Sequence, residues 1–155
     1  MRPSCIIVSG TRRVPITWYP LIFWCIDDTK LDIVELVSGH AKGVDRLGEW
    51  YARDRDIPVK VFPITDEDWT KYGKSAGRRR NRAMYEHALK SEAKPAIIAI
   101  WDGASRGTAH MISLGINDER IQTFVYLIRS PDRGRFRAYR ASDDVVRELL
   151  GVVLS

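Results

Sequence analysis

The chain has 155 residues, 45% of them hydrophobic and 29% charged. That is one domain of ordinary size, long enough to bury a core without a metal or disulfide staple, and too apolar for wholesale disorder. Lys and Arg number 25 against 20 Asp and Glu, a net charge of +5. No apolar run approaches the ~20 residues of a membrane span. The short run Cys5 to Val8 is too poorly flanked to read as a secretory signal. Cys5 and Cys25 are the only cysteines and lack zinc-ligand spacing, so they read as two buried thiols of a reducing cytoplasm.

In chain order, Cys5-Ile6-Ile7-Val8 is a β-branched run ending in Ser9-Gly10-Thr11 and reads as a strand buried on both faces. Trp18, Leu21, Ile22, Cys25 and Ile26 form one apolar helical stripe, with Thr17 as cap and Pro20 in the first turn. Ile33 to Val37 is a second strand, ending in Ser38-Gly39. A helix follows from Val44 to Arg55, and Val59 to Phe62 is a third strand. A polar stretch, Ile64 to Gly77, interrupts the rhythm before a helix over 77–90. Ala96 to Trp101 is the clearest buried strand and runs into the turn Asp102 to Thr108, then a short helix to Gly115. Gln122 to Ile128 is a fifth strand. Ser142 to Leu150, with acids in its first turn and Gly151 after its last, is a well-signalled helix.

Strands and helices alternating in this way predict an α/β, Rossmann-like, open and mainly parallel sheet of about five strands with helices on both faces. Residues 1–128 form the expected sheet domain, with an anion site at its loops. Residues 129–155 form a basic segment and a terminal helix packed on it. In such a sheet every strand-to-helix loop lies at the carboxyl edge, where ligands bind. Three glycine loops are thereby expected on one rim. The first carries Ser9, Gly10, Thr11 and Arg12. The second carries Ser38, Gly39 and Gly43, and the third Gly103, Ser105, Gly107 and Thr108. Glycine lets backbone amides approach a phosphate, and helix starts add partial positive charge. There is no Walker loop and no Gly-x-Gly-x-x-Gly.

Charge is concentrated twice. Lys71 to Arg82 holds six cations and no acid, and Arg129 to Arg140 five arginines against Asp132. Arg78, Arg79 and Arg80 stand where a helix begins and oppose its dipole, which a bound anion would reverse. Arg80 shares an inward stripe with Met84 and Ala88. Asp45 is a candidate to accept from a ribose hydroxyl or to hold Arg80, and Asp102 is a candidate for a ribose hydroxyl. His40 and His110 lack a nucleophile partner in sequence, and His87 reads as an ordinary helix residue. Trp69 and Trp101 read as core aromatics before they read as base-stacking ones. No metal site or cofactor is expected.

Three blocks together resemble the YspA/YpsA-related branch of the SLOG superfamily, named for the Smf/DprA proteins and the LOG phosphoribohydrolases. They are Ser38-Gly39-x-Ala41-x-Gly43-x-Asp45-Arg46-Leu47, Ala76-Gly77-x-x-Arg80-Asn81-Arg82-x-Met84, and Trp101-Asp102-Gly103-x-Ser105-x-Gly107-Thr108-x-His110-Met111-Ile112. The likeness spans about Ile6 to Ile128. It implies a Rossmann-like domain that binds nucleotide-derived ligands through Ser9, Gly10, Thr11, Gly39, Arg80, Gly103, Gly107 and Thr108. His40 replaces a usual second glycine, and Arg78-Arg79 replace a proline and a hydrophobic residue. LOG enzymes carry a glutamate three residues after the threonine of Gly-Thr-x-x-Glu, and Met111 stands there instead.

The expectation is therefore a cytoplasmic binding module or sensor for a nucleoside phosphate or an ADP-ribose-like compound, leaning away from an enzyme. The loop amides and Arg80 would hold phosphate, and Asp45 or Asp102 the ribose. One alternative is a LOG-like nucleoside 5'-monophosphate phosphoribohydrolase. Another is a DprA-like nucleic-acid-binding protein, with weak contacts through Arg133, Arg135 and Arg137, whose arginines alternate with Phe136 and Tyr139. No membrane partner is expected, and self-association is left open.

Overall fold

A computed structural model describes residues 2–132 and 135–155. β1 (Pro3–Gly10), α1 (Tyr19–Asp28), β2 (Asp32–Ser38), α2 (Val44–Asp54) and β3 (Val59–Val61) form the first half. α3 (Asp66–Tyr72), α4 (Ala76–Lys90), β4 (Lys94–Trp101), α5 (Arg106–Gly115), β5 (Gln122–Asp132), β6 (Arg135–Arg140) and α6 (Asp143–Val153) complete it. The sheet runs β3-β2-β1-β4-β5-β6. The first five strands are parallel and β6 is antiparallel to β5. This is the α/β, Rossmann-like sheet expected from the alternation of elements, with one strand more.

The apolar strands are continuous because both faces are covered. One face buries Ile6, Val8, Leu36, Ile98 and Ile100 under α1 and α2, through Ile22, Ile26, Val44 and Leu47. The other buries Ile7, Val37, Ile97 and Ala99 under α4, α5 and α6, through Met84, Ala88, Met111 and Val146. A side chain such as Met84 or Ile97, with no exposed surface, contributes roughly 1.5–3 kcal/mol by leaving water.

Several boundaries differ from the expectations. α1 is preceded by a 3-10 turn over Ile16–Trp18, so Thr17 lies in that turn and Trp18 takes the cap position without a side-chain bond. The polar stretch hides α3, started by a reciprocal capping box between Thr65 and Asp68. α6 runs through Gly151 to Val153, capped by Ser142. β5 continues past Ile128, so residue 128 is interior to a strand. The order 3-2-1-4-5 reverses direction between β1 and β4, and a crevice opens where their following loops part.

Candidate functional site

Thr11 ties the three loops together. Buried beyond the end of β1, it donates its amide to Ile100 O (3.1 Å) and accepts from Val44 N at its carbonyl (3.2 Å). Its hydroxyl accepts from Asp102 N (3.0 Å) and lies 3.4 Å from Ser105 Oγ. The α2 start comes so close that a β-carbon on Gly43, whose φ is +81°, would strike Thr11 O. Only glycine accommodates both the dihedral and the approach.

In the second loop, Ser38 is fully buried and donates to Glu49 Oε2 (2.8 Å), while accepting from His40 N (3.0 Å). His40 adopts φ +60°, the conformation a glycine would favour, and its Nδ1 lies 2.9 Å from the buried Glu49 carboxylate. The ring therefore binds α2 instead of filling the crevice. Asp45, in the first turn of α2, is 3% exposed and accepts from Gly10 N (3.2 Å) and Ala41 N (3.4 Å). Burial pushes its carboxyl up to about 6, partly opposed by the Arg80 charge and by the two amides.

Arg80 reaches in from α4. Its Nη1 donates to Gly39 O (3.0 Å), and a β-carbon on Gly39 would lie 2.8 Å from the guanidinium carbon. Its Nε is buried with no hydrogen-bond partner among the described residues. Burial, then the nearby Arg12 charge, lowers its pKa against the pull of Asp45. The neighbouring Asn81, 2% exposed, donates to Gly107 O (3.1 Å) and lies 3.1 Å from His110 Nδ1. Burial and the Arg78 and Arg82 charges lower the His110 pKa.

The third loop follows buried Trp101, whose indole donates to Ser105 O (3.0 Å). Asp102 Oδ1 accepts from Ser105 N (2.8 Å) and Ala104 N (2.9 Å), and its Oδ2 from Ser105 Oγ (3.0 Å). Desolvation raises its pKa, but those hydrogen bonds outweigh it and hold the carboxyl below its ordinary value. Ser105 is the N-cap of α5 and makes no side-chain cap bond. The Arg106, Gly107 and Thr108 amides are thus left with the unsatisfied valences of a helix start.

These loops enclose a cavity of about 470 Å³. Of the residues expected to bind ligand, Ser9, Gly10, Arg12, Asp45, Arg80, Asp102, Ser105, Gly107 and Thr108 line it. Thr11, Ser38, Gly39, Gly43 and Gly103 are not among its walls; the first four brace the loops as described, and Gly103 sits in the third turn at φ +81°. Arg13, Ala41 and Ala104 complete the lining. Arg13 carries no signal beyond its adjacency to the first loop. A second hollow of about 410 Å³, walled by Tyr72 and Arg79, shares Arg80 with the first. Arg79 stacks over the Tyr72 ring at 3.9 Å.

Away from the crevice, Arg135 and Arg137 are exposed on β6, whereas Arg133 lies outside the described residues. Phe136 packs edge-on against Trp18 (4.8 Å between centroids), and Tyr139 stays exposed. Trp101 is core and Trp69 is exposed on α3. Among the described residues, no helix is long and apolar enough to cross a membrane.

No family model and no curated protein matches the chain. A solved structure of an uncharacterized protein from Alicyclobacillus acidocaldarius subsp. acidocaldarius DSM 446 aligns over 96% of this chain and 84% of that one. It is 11% identical with a TM-score of 0.32.

Proposed function

We propose that the chain is a binding module or sensor for a nucleotide-derived small molecule, a nucleoside phosphate or an ADP-ribose-like compound, as in the SLOG proteins its motifs resemble. One observation carries the reading. The cavity at the carboxyl edge, between the β1 and β4 loops, joins the uncapped start of α5 to the guanidinium of Arg80, whose Nε lacks a partner among the described residues. Backbone amides at a helix start and an arginine fork are complementary to phosphate oxygens. Arg12 and Arg13 add charge at the same wall. The Asp45 and Asp102 carboxylates are occupied by loop amides, so they set loop shape, and a ribose would meet their outer edges.

Binding is favoured over N-glycoside hydrolysis. Met111, at the position where LOG enzymes place their glutamate, is fully buried in the core beneath α5. Neither its chemistry nor its direction supplies a proton or stabilises an oxocarbenium charge. The test is native mass spectrometry of the purified protein for a retained nucleotide, with a thermal-shift panel of nucleoside monophosphates, ADP-ribose and sugar phosphates. A retained nucleotide or a saturable shift supports the reading. A flat panel with no retained ligand removes it.

A further inference from the structure

A second cluster of chemically active side chains sits low in the sheet, about 16 Å down β1 from Gly10 at ~3.3 Å per residue. Cys5 on β1, Glu35 on β2 and His87 on α4 converge there. The Cys5 thiol donates to Glu35 Oε1 (3.3 Å), and His87 Nε2 lies 2.6 Å from the same oxygen. One ligand atom from each residue falls within 4.8 Å of the other two.

The convergence is built by an irregularity. Ser4 pairs with Ile33 but Cys5 pairs with Glu35, so Val34 is an extra residue in β2. Such a bulge re-aims side chains. Here it sets a carboxylate beside Cys5, on the face that β2 continues with buried Val37 and that α4 covers. An acid on the core side of a strand is costly unless matched. One carboxylate oxygen serves both neighbours, while Oε2 makes no hydrogen bond to the described residues. The Phe62 ring holds the imidazole edge-on at 5.5 Å. Glu35 and His87 side chains are each about one-third exposed (33% and 32%), which opens the cluster to solvent although Cys5 itself is buried.

We propose that Cys5, Glu35 and His87 form a binding site for a borderline-soft divalent cation of the zinc type, with the fourth coordination position open to solvent. Sulfur, imidazole nitrogen and carboxylate oxygen are the donors that such an ion accepts, three protein ligands at a time when one position stays open. Donors around a tetrahedral zinc stand about 3.2–3.7 Å apart, given bond lengths near 2.0–2.3 Å. The sulfur–oxygen separation already fits. The nitrogen–oxygen separation must open by roughly 1 Å or less, a rotation of the partly exposed Glu35. The ion forms its sulfur bond as the thiol proton leaves to solvent. Once bound, it pins β1, β2 and α4 together at the end of the sheet remote from the cavity.

The test is a titration of the untagged, chelator-treated full chain with cobalt(II). The expected result is one ion per chain, with a thiolate-to-cobalt charge-transfer band and tetrahedral visible bands, both bleached by zinc. Cys25→Ser, at the other buried thiol, retains the band. Cys5→Ser removes it, and His87→Gln, at a part-exposed position that leaves the core intact, weakens cobalt binding at least ~10-fold. Absence of the band in the folded wild-type protein, its loss in folded Cys25→Ser, its survival in Cys5→Ser, or unchanged cobalt affinity in His87→Gln overturns the proposal.

Discussion

Asp45 accepts a hydrogen bond from the Gly10 amide at 3.2 Å, so a buried carboxylate in the first turn of α2 fixes the end of β1. Its second oxygen holds Ala41 N. The same burial that makes this brace rigid raises the carboxyl pKa to about 6. Arg80 pulls that value down, and the neighbouring Glu49 pushes it up.

That shift sets a pH dependence of stability. The folded state keeps the Asp45 proton above the pH at which the unfolded chain, with a carboxyl near 3.8, releases it. The contribution is full below that lower value, is lost as pH rises through about 6, and is flat above. At 1.36 kcal/mol per pH unit its size is about 3 kcal/mol. Asp45→Asn should flatten the urea midpoint between pH 4 and 7 relative to wild type. A wild-type-minus-variant difference that does not change with pH would refute the assignment.

Gly107 separates binding from folding. A β-carbon there meets nothing within 4 Å, and the residue lines the cavity. Gly107→Leu should leave the melting temperature unchanged or slightly raised, while weakening ADP-ribose at least ~10-fold, or ~1.4 kcal/mol. Gly10→Ala should behave oppositely. Its β-carbon would collide with Ile100 O and lie 2.7 Å from Val44, so about 1–3 kcal/mol of stability should go. Equal melting temperatures for the two variants would contradict the packing described.

Purified protein incubated with AMP should bind it and release no adenine, because Met111 is a core residue and no carboxylate replaces it from α5. Arg80→Ala should abolish the binding. Steady adenine release that disappears in Arg80→Ala or Asp102→Asn would make the protein a hydrolase.

Nucleic-acid binding through β6 should be weak and steeply dependent on salt. Arg135 and Arg137 are exposed, but Phe136 is spent on Trp18, which leaves Tyr139 as the exposed ring of that strand. Replacing both arginines by alanine should lower the slope of log affinity against log salt by about 1.4 for single strands, at ~0.7 for each phosphate no longer neutralised. Tight binding at ~0.15 M salt that survives both substitutions would place the interface elsewhere.

The alternation of apolar strands with amphipathic helices was readable because Cys5 to Val8 and Ala96 to Trp101 are unbroken runs that only a doubly covered sheet explains. The three loops followed from their position after these two strands and after Ile33 to Val37. What was hidden depended on partners distant in sequence. Glu35 reads as a polar break in a strand until His87, 52 residues away, is seen beside it. Asn81 gives no local sign that it anchors Gly107. β6 was masked by its arginines, since an edge strand exposed on its outer side shows little apolar alternation. α3 could have been found from Thr65 and Asp68, a capping pair at the right spacing.

The strand order leaves the sheet with two borders, and both resist growth. β3 offers only three residues, too short a template for another chain to zip along. β6 offers six, of which Arg135, Arg137 and Arg140 are exposed cations. A second copy laid against its full length antiparallel would bring Arg135 opposite Arg140 at both ends of the seam, a repulsion at each end. The basic border thus guards the protein against ribbon-like aggregation, whatever else it touches.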